Sequence, residues 1–201
     1  MRSPVVLSTT NPGKVAEIRD AIGEFVDLLD RPVDVAPVVE DAPDLEGNAR
    51  LKARAIASAT GLATLADDTG LEVDALGGAP GVVSARFAGA AEDAEANKAK
   101  LLTDLDGVAD RAARFRTVLV LAVPGGDEIV AHGVVEGSIS TEQRGHHGFG
   151  YDAIFIPEGD ERTFGEMTLD EKQSTSHRAR ALADLVTQLK AFPGSPLLSR
   201  Q

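Results

Sequence analysis

Hydrophobic and polar positions along this chain alternate between strand period and helix period. Val5-Val6-Leu7 is a short apolar run that enters the polar turn Thr9-Thr10-Asn11-Pro12-Gly13-Lys14, and the spacing beyond it predicts an amphipathic helix over 14–22. A second strand is expected over 33–39, ending at Glu40-Asp41, followed by a loop and an alanine-rich helix over 48–60 with Lys52 in its first turns. Gly61 reads as the helix stop. A strand over 63–66 is expected to break at Asp67-Asp68-Thr69-Gly70 and resume over 71–76, before a Gly77-to-Gly81 loop. A helix over 91–105 precedes two β-favouring runs, 114–123 and 128–139, which the turn Gly125-Gly126-Asp127 joins as a hairpin. An apolar segment lies within 149–156. Thr168-Leu169-Asp170-Glu171 has the form of a capping box, and Leu182, Leu185, Val186 and Leu189 then keep helical spacing.

This order of elements predicts an α/β fold with a mixed sheet. A chain of 201 residues, 43% hydrophobic, is about the size of one domain, so residues 1–201 are expected as a single unit with 193–201 as a dispensable tail. The formal charge of −12 and the lack of any basic run argue against nucleic acid as a partner. A small phosphorylated ligand stays compatible with that charge, because a few placed cations and a divalent metal act locally, and hard cations take oxygen ligands. With no cysteine, the chemistry falls to carboxylates, lysine, histidine and hydroxyls. No apolar run approaches the roughly 18 residues a membrane span needs, and no targeting segment is evident, so a soluble cytoplasmic protein with no membrane partner is expected.

Four segments carry candidate chemistry. The turn from Thr9 to Lys14 puts hydroxyls, a lysine and a helix N-terminus together, which suits phosphate, although taken alone the segment reads first as an ordinary strand-to-helix turn. The acids Asp67-Asp68 and Glu40-Asp41 end two extended runs and could converge on one metal, or simply lie in solvated turns. Gly148-Phe149-Gly150-Tyr151-Asp152 offers aromatic rings on a flexible backbone, either to stack on a base or to plug the core. Lys172 and Ser176-His177-Arg178 place several donors near the start of the C-terminal helix, with Lys172 and Ser176 at one-turn spacing. His146 and His147 read as loop residues.

Taken in order and nearly end to end, these segments resemble the inosine triphosphate pyrophosphatase family, the dITP/XTP pyrophosphatases. The resemblance runs through Ser8 to Lys14, Asn48-Ala49 with Lys52-Ala53, Ala66 to Leu71, Leu76 to Gly81 with Ser84-Ala85-Arg86, Gly148 to Asp152, and Glu171-Lys172 with Ser176-His177-Arg178. It implies an elongated mixed sheet flanked by helices, two lobes with the active-site cleft between them, and a homodimer. It also implies hydrolysis of inosine, deoxyinosine and xanthosine triphosphates to monophosphate and pyrophosphate with magnesium, or manganese as a substitute.

The same resemblance implies that Thr9, Thr10, Asn11, Pro12, Gly13 and Lys14 hold the triphosphate, and that Glu40 and Asp68 serve the metal. Asp68 would be the general base, with Lys52 beside the phosphates and the attacking water. Thr69, Phe149, Gly150, Tyr151, Asp152, Lys172, His177 and Arg178 would contact the substrate, and donors from Arg178 or nearby backbone would favour a 6-oxo base over adenine. Gly47, Ala153 and His146-His147 depart from the family pattern, Gly47 replacing an acid that would matter if it supplied a second metal contact.

Overall fold

The structure is a computed structural model, which describes residues 3–89 and 92–191. The expected tail, 193–201, lies outside the described residues. Among the described residues twelve strands and α-helices follow one another: β1 (Pro4–Leu7), α1 (Pro12–Ile22), β2 (Asp27–Leu29), α2 (Leu45–Thr60), β3 (Ala63–Val73), β4 (Pro80–Gly81), α3 (Ala94–Asp104), β5 (Ala112–Ala122), β6 (Glu128–Ile139), β7 (Phe155–Pro157), α4 (Leu169–Gln173) and α5 (His177–Ala191). Among the described residues seven strands form one mixed sheet, ordered β2-β1-β3-β5-β6-β7 with β4 on β3. β1 lies parallel to β2 and β3, whereas β4 and β7 pair antiparallel.

The chain divides into two compact units, and β3, β5 and β6 each run through both. The first takes the chain up to Asp68, Thr117–Gly133 and the segment from Arg178 onward; the second takes Thr69–Arg116 and Val134–His177. Each has its own core. In the first, Val5, Leu7, Leu28, Leu65, Leu119 and Leu121 from the strands meet Ile18 and Ile22 of α1 and Leu182, Leu185 and Leu189 of α5. In the second, Leu71, Val73, Phe115, Val135 and Ile139 meet Leu101 and Leu105 of α3, together with Phe155 and Phe164.

Local chemistry fixes the element ends. Asn11 caps α1 ahead of Pro12, whose missing N–H costs nothing at a helix start. Asp44 caps α2, and Gly61 closes it in the left-handed region at φ 67°. The Thr168–Glu171 capping box forms as expected.

Three expectations are corrected. Residues 33–39 form no strand: Val33 and Val39 are exposed, and the Arg31 guanidinium takes the Val35 and Ala36 carbonyls at 3.2 and 2.7 Å. Asp27–Leu29 pairs with β1 instead, burying Leu28. β3 is continuous through Asp67-Asp68-Thr69-Gly70, because the two acids point to opposite faces and each meets cations there. Lys172 and Ser176 do not share a helix: α4 ends at Gln173 and α5 starts at His177.

Candidate active site

In the first unit the carboxylates of β3 organise two ionic clusters. Asp68 turns toward α2, where Lys52 donates to its Oδ1 at 2.7 Å and to Oε2 of Glu40 at 3.0 Å. The Lys52 and Asp68 side chains are each 11% exposed and Glu40 is 35% exposed, so this cluster is buried at one end and open at the other. Burial opposes the charge on Lys52, but Asp68 and then Glu40 outweigh it and raise its pKa. Burial also raises the pKa of Asp68, and the nearby Lys52 charge does not fully offset it. Asp68 Oδ2 is buried with no hydrogen-bond partner among the described residues. The pair therefore keeps Lys52 charged and leaves Asp68 one oxygen with unused accepting capacity.

Asp67 turns to the opposite face. Nε of Arg178 donates to its Oδ2 at 2.8 Å, Lys14 Nζ donates to Oδ1, and NH1 of Arg178 reaches Glu17. Burial works against the Asp67 charge, yet Arg178 and Lys14 drive its pKa well below the ordinary carboxylate range. Arg178 is 1% exposed, with these donors engaged by acids of its own unit. Lys14 is the more accessible cation at 18% exposure, and Asp67 retains Arg178 if Lys14 turns elsewhere.

The turn before α1 is internally bonded. Asn11 Oδ1 accepts from the Gly13 and Lys14 N–H groups at 2.9 and 3.2 Å, and Thr9 Oγ1 accepts from the Asn11 N–H at 3.1 Å. The Asn11 side chain thus caps the helix N-terminus, with Thr10, Asn11 and Pro12 exposed and Thr9, Gly13 and Lys14 half-buried. Two residues fasten the segment that carries Glu40. Arg31 holds the carbonyls of Val35 and Ala36, and buried Asn48 accepts from the Ala42 N–H at 3.0 Å. Gly47 fits here for a steric reason: a Cβ would stand 2.6 Å from that of Ala42.

The second unit holds a different arrangement. Lys172, 3% exposed, donates to Asp152 Oδ2 at 2.6 Å, and the Phe149 N–H donates to the same oxygen at 2.7 Å. The ammonium lies 4.9 Å from the Phe149 ring centre and 5.6 Å from that of Phe164, within cation–π range. Gly148, at φ 73°, is required because a Cβ would collide with the Asp152 carboxylate. Phe149 is half-buried, as is Gly150, while Tyr151 sits in the core with its hydroxyl donating to the Ser84 carbonyl at 2.8 Å. Burial raises the Tyr151 pKa. His177 stacks on Phe115 with ring centres 4.5 Å apart, and Thr69 is half-buried on β3.

Thus Thr9, Thr10, Asn11, Pro12, Gly13, Lys14, Glu40, Lys52, Asp68 and Arg178 belong to the first unit, and Thr69, Phe149 to Asp152, Lys172 and His177 to the second. Asp67, grouped by the sequence with Asp68 as a possible metal ligand, is instead taken up by Lys14 and Arg178. Glu17 has no role in the sequence reading, although an acid next to Ile18 on the apolar side of α1 is a readable sign of a buried partner. Among the described residues no group of three or more His, Cys, Asp or Glu gathers for a metal, and the Glu40 and Asp68 carboxylates meet on the Lys52 ammonium. No helix of the described chain is long and apolar enough to cross a membrane.

The fold and these clusters define an α/β protein with a lysine-bridged carboxylate centre in one unit and a lysine packed against aromatic rings in the other. The Ham1 family model matches residues 5–188, and the chain belongs to that family. It is 46% identical to a dITP/XTP pyrophosphatase of Leifsonia xyli subsp. xyli, over 95% of this chain and 98% of the relative. Among solved structures, a HAM1 protein from Coxiella burnetii is similar at a TM-score of 0.87 and 36% identity, covering 94% of this chain and all of that one (100%). A nucleoside-triphosphatase, dITP/XTP pyrophosphatase, from Mycobacterium abscessus is 42% identical at a TM-score of 0.74, covering 91% of this chain and 98% of that one.

Proposed function

We propose that this chain is a magnesium-dependent hydrolase that converts purine nucleoside triphosphates with a 6-oxo base, those of inosine, deoxyinosine and xanthosine, to monophosphate and pyrophosphate. The observation that carries this reading is the Lys52–Asp68–Glu40 cluster, whose buried Asp68 Oδ2 has no hydrogen-bond partner among the described residues. The relatives named dITP/XTP pyrophosphatase supply the reaction and the substrate class.

Asp68 Oδ2 takes a proton from water while Lys52 stays charged on Oδ1. The water oxygen bonds to the α-phosphorus, the bond from that phosphorus to the bridging oxygen breaks, and pyrophosphate leaves with the electron pair. Lys14 turns from Asp67 to the phosphates, and Asp67 keeps Arg178 as its counter-charge. The donor set fits magnesium, which takes one or two carboxylates and completes its shell with water and substrate phosphate. Glu40 and Asp68 would hold the ion, which when bound supplies positive charge against the phosphate oxygens. In the second unit, Phe149 offers a ring face and the Lys172–Asp152 pair a fixed polar edge suited to a nucleoside. A donor that faces a 6-oxo group is left unpaired by adenine, which disfavours ATP.

Hydrolysis of inosine triphosphate, xanthosine triphosphate and ATP, with and without magnesium, tests the reading when phosphate and pyrophosphate are both quantified. Metal-dependent pyrophosphate from the first two supports it, whereas phosphate as the product replaces it with a terminal phosphatase. A homodimer, checked by sedimentation, and a cytoplasmic location belong to the same proposal.

A further inference from the structure

Besides Asp68 Oδ2, one other oxygen of the first unit is buried without a partner among the described residues: the Ser8 hydroxyl, in a residue 2% exposed. A hydroxyl left unbonded in a protein interior is costly, so two such atoms in one unit call for an occupant. The strand register puts them on the same face of the sheet. Leu7 pairs with Leu65, and both enter the core formed with α1 and α5. Ser8, still held by its N–H on the Leu65 carbonyl at 2.9 Å, is the next residue and turns to the opposite face. On β3 the same alternation sends Asp67 to the Leu65 side, where it meets α1 and α5, and sends Asp68 to the other side, where it meets Lys52 of α2. Ser8 and Asp68 therefore share the α2 face of two neighbouring strands.

We infer that the Ser8 hydroxyl and Asp68 Oδ2 hold one ordered water between them, and that Ser8 is a positioning residue for the water Asp68 activates. The chemistry of the three groups suits a water with the usual partners. Asp68 Oδ2 accepts, Ser8 Oγ donates or accepts, and Lys52 has three N–H donors of which two are committed to Glu40 and Asp68. A water donating to Oδ2 and fixed by Ser8 is held in one orientation, with a lone pair directed away from the carboxylate. Without Ser8, Asp68 remains a base but its water loses a fixed direction. The role in turnover rests on the hydrolytic reading above; the bound water does not.

The test compares the full-length wild type with Ser8→Ala, a change that removes the hydroxyl and adds no volume. A crystal structure of each protein without nucleotide is expected to contain a water on Ser8 Oγ and Asp68 Oδ2 in the wild type and none fixed there in the variant. Pyrophosphate release from inosine triphosphate in magnesium is expected to fall about tenfold in kcat with KM unchanged, less than the roughly hundredfold cost of a 1 Å misplacement because Asp68 still binds the water. The melting temperature is expected to hold or rise, which separates positioning from support of the fold. A wild-type structure with the two oxygens bonded to other protein groups, or with no water on them, overturns the inference. So does a variant with unchanged kcat, or one that loses kcat only in proportion to folded protein. If the wild type releases no pyrophosphate from any purine triphosphate, the proposed function fails by itself, and the crystallographic water still decides whether Ser8 and Asp68 share an occupant.

Discussion

Lys52 and Lys172 each reach an aspartate from a helix, at 2.7 and 2.6 Å, yet their surroundings differ. Lys52 is divided between two carboxylates, one of them a third exposed, and the aspartate it bonds keeps a second oxygen unused and a raised pKa. Lys172 lies within cation–π range of two aromatic rings, and its Asp152 oxygen also takes the Phe149 N–H. The first pair is short of compensation on the acid side and can still take a proton or a ligand. The second spends its bonds on fixing a loop. Burial of an ion pair alone does not separate these roles; the bonding capacity left over on the carboxylate does.

The largest effect expected from that difference is at Asp68. Asp68→Asn removes the only atom proposed to accept a proton, so kcat should fall by about 10²–10⁴ while KM changes little. Turnover should also rise with pH through the folded pKa of Asp68, which lies above its ordinary value, and this acid limb should vanish in the variant. An acid with a raised folded pKa favours the folded state below its unfolded pKa and loses that contribution as pH rises through the folded value. Asp68→Asn removes this titration, so the stability of the variant should vary less with pH than that of the wild type. An unchanged kcat would erase the distinction between the two pairs.

Stability should show the reverse ranking. Lys172→Met strands Asp152 beside apolar rings and should cost about 3–5 kcal/mol, measured by urea unfolding. Lys52→Met should cost less, because Asp68 is already inclined to take a proton and Glu40 reaches solvent. Equal losses would mean that both pairs are structural. Asp67 extends the series to pH: its folded pKa is depressed, so its contribution is full above the unfolded value and is lost as pH falls through the folded one. Asp67→Asn should lower stability at pH 7 by about 3–5 kcal/mol and approach the wild type in acid.

Much of the fold was legible because period and caps agreed. The apolar spacing of α5, the Gly61 stop and the Thr168–Glu171 box all led to observed elements. The valines at 33, 35, 38 and 39 misled, since β propensity says nothing about whether a strand position is vacant beside them; three ordinary residues, Asp27–Leu29, took that place. From sequence β3 reads as broken because paired acids suggest a turn, and the partners of Asp67 and Glu17 lie far along the chain: Arg178 is 111 residues from Asp67 and 161 from Glu17. The site was legible as residue types and not as pairings. Nothing local told Asp67 from Asp68, although one is saturated with cations and the other is not.

The smallest expected effect concerns how far the Lys172 pair depends on its helix. α4 has only five residues, too short to be stable through its own hydrogen bonds. Its N-terminus is held by the Thr168 side chain on the Glu171 N–H at 3.3 Å and by Glu171 Oε2 on the Thr168 N–H at 2.8 Å. Arg162 bonds the same glutamate at 2.8 Å and, with Thr168, lowers its pKa to about 2. Thr168→Ala removes the hydroxyl and should cost about 0.5–2 kcal/mol, a shift of a few degrees in melting temperature. If Asp152 and the aromatic rings fix Lys172, pyrophosphate release should change less than about twofold, because those contacts lie outside the cap. A tenfold rise in KM with kcat retained would instead show that the cap sets the position of Lys172, and that the second pair is held from its helix rather than from its loop.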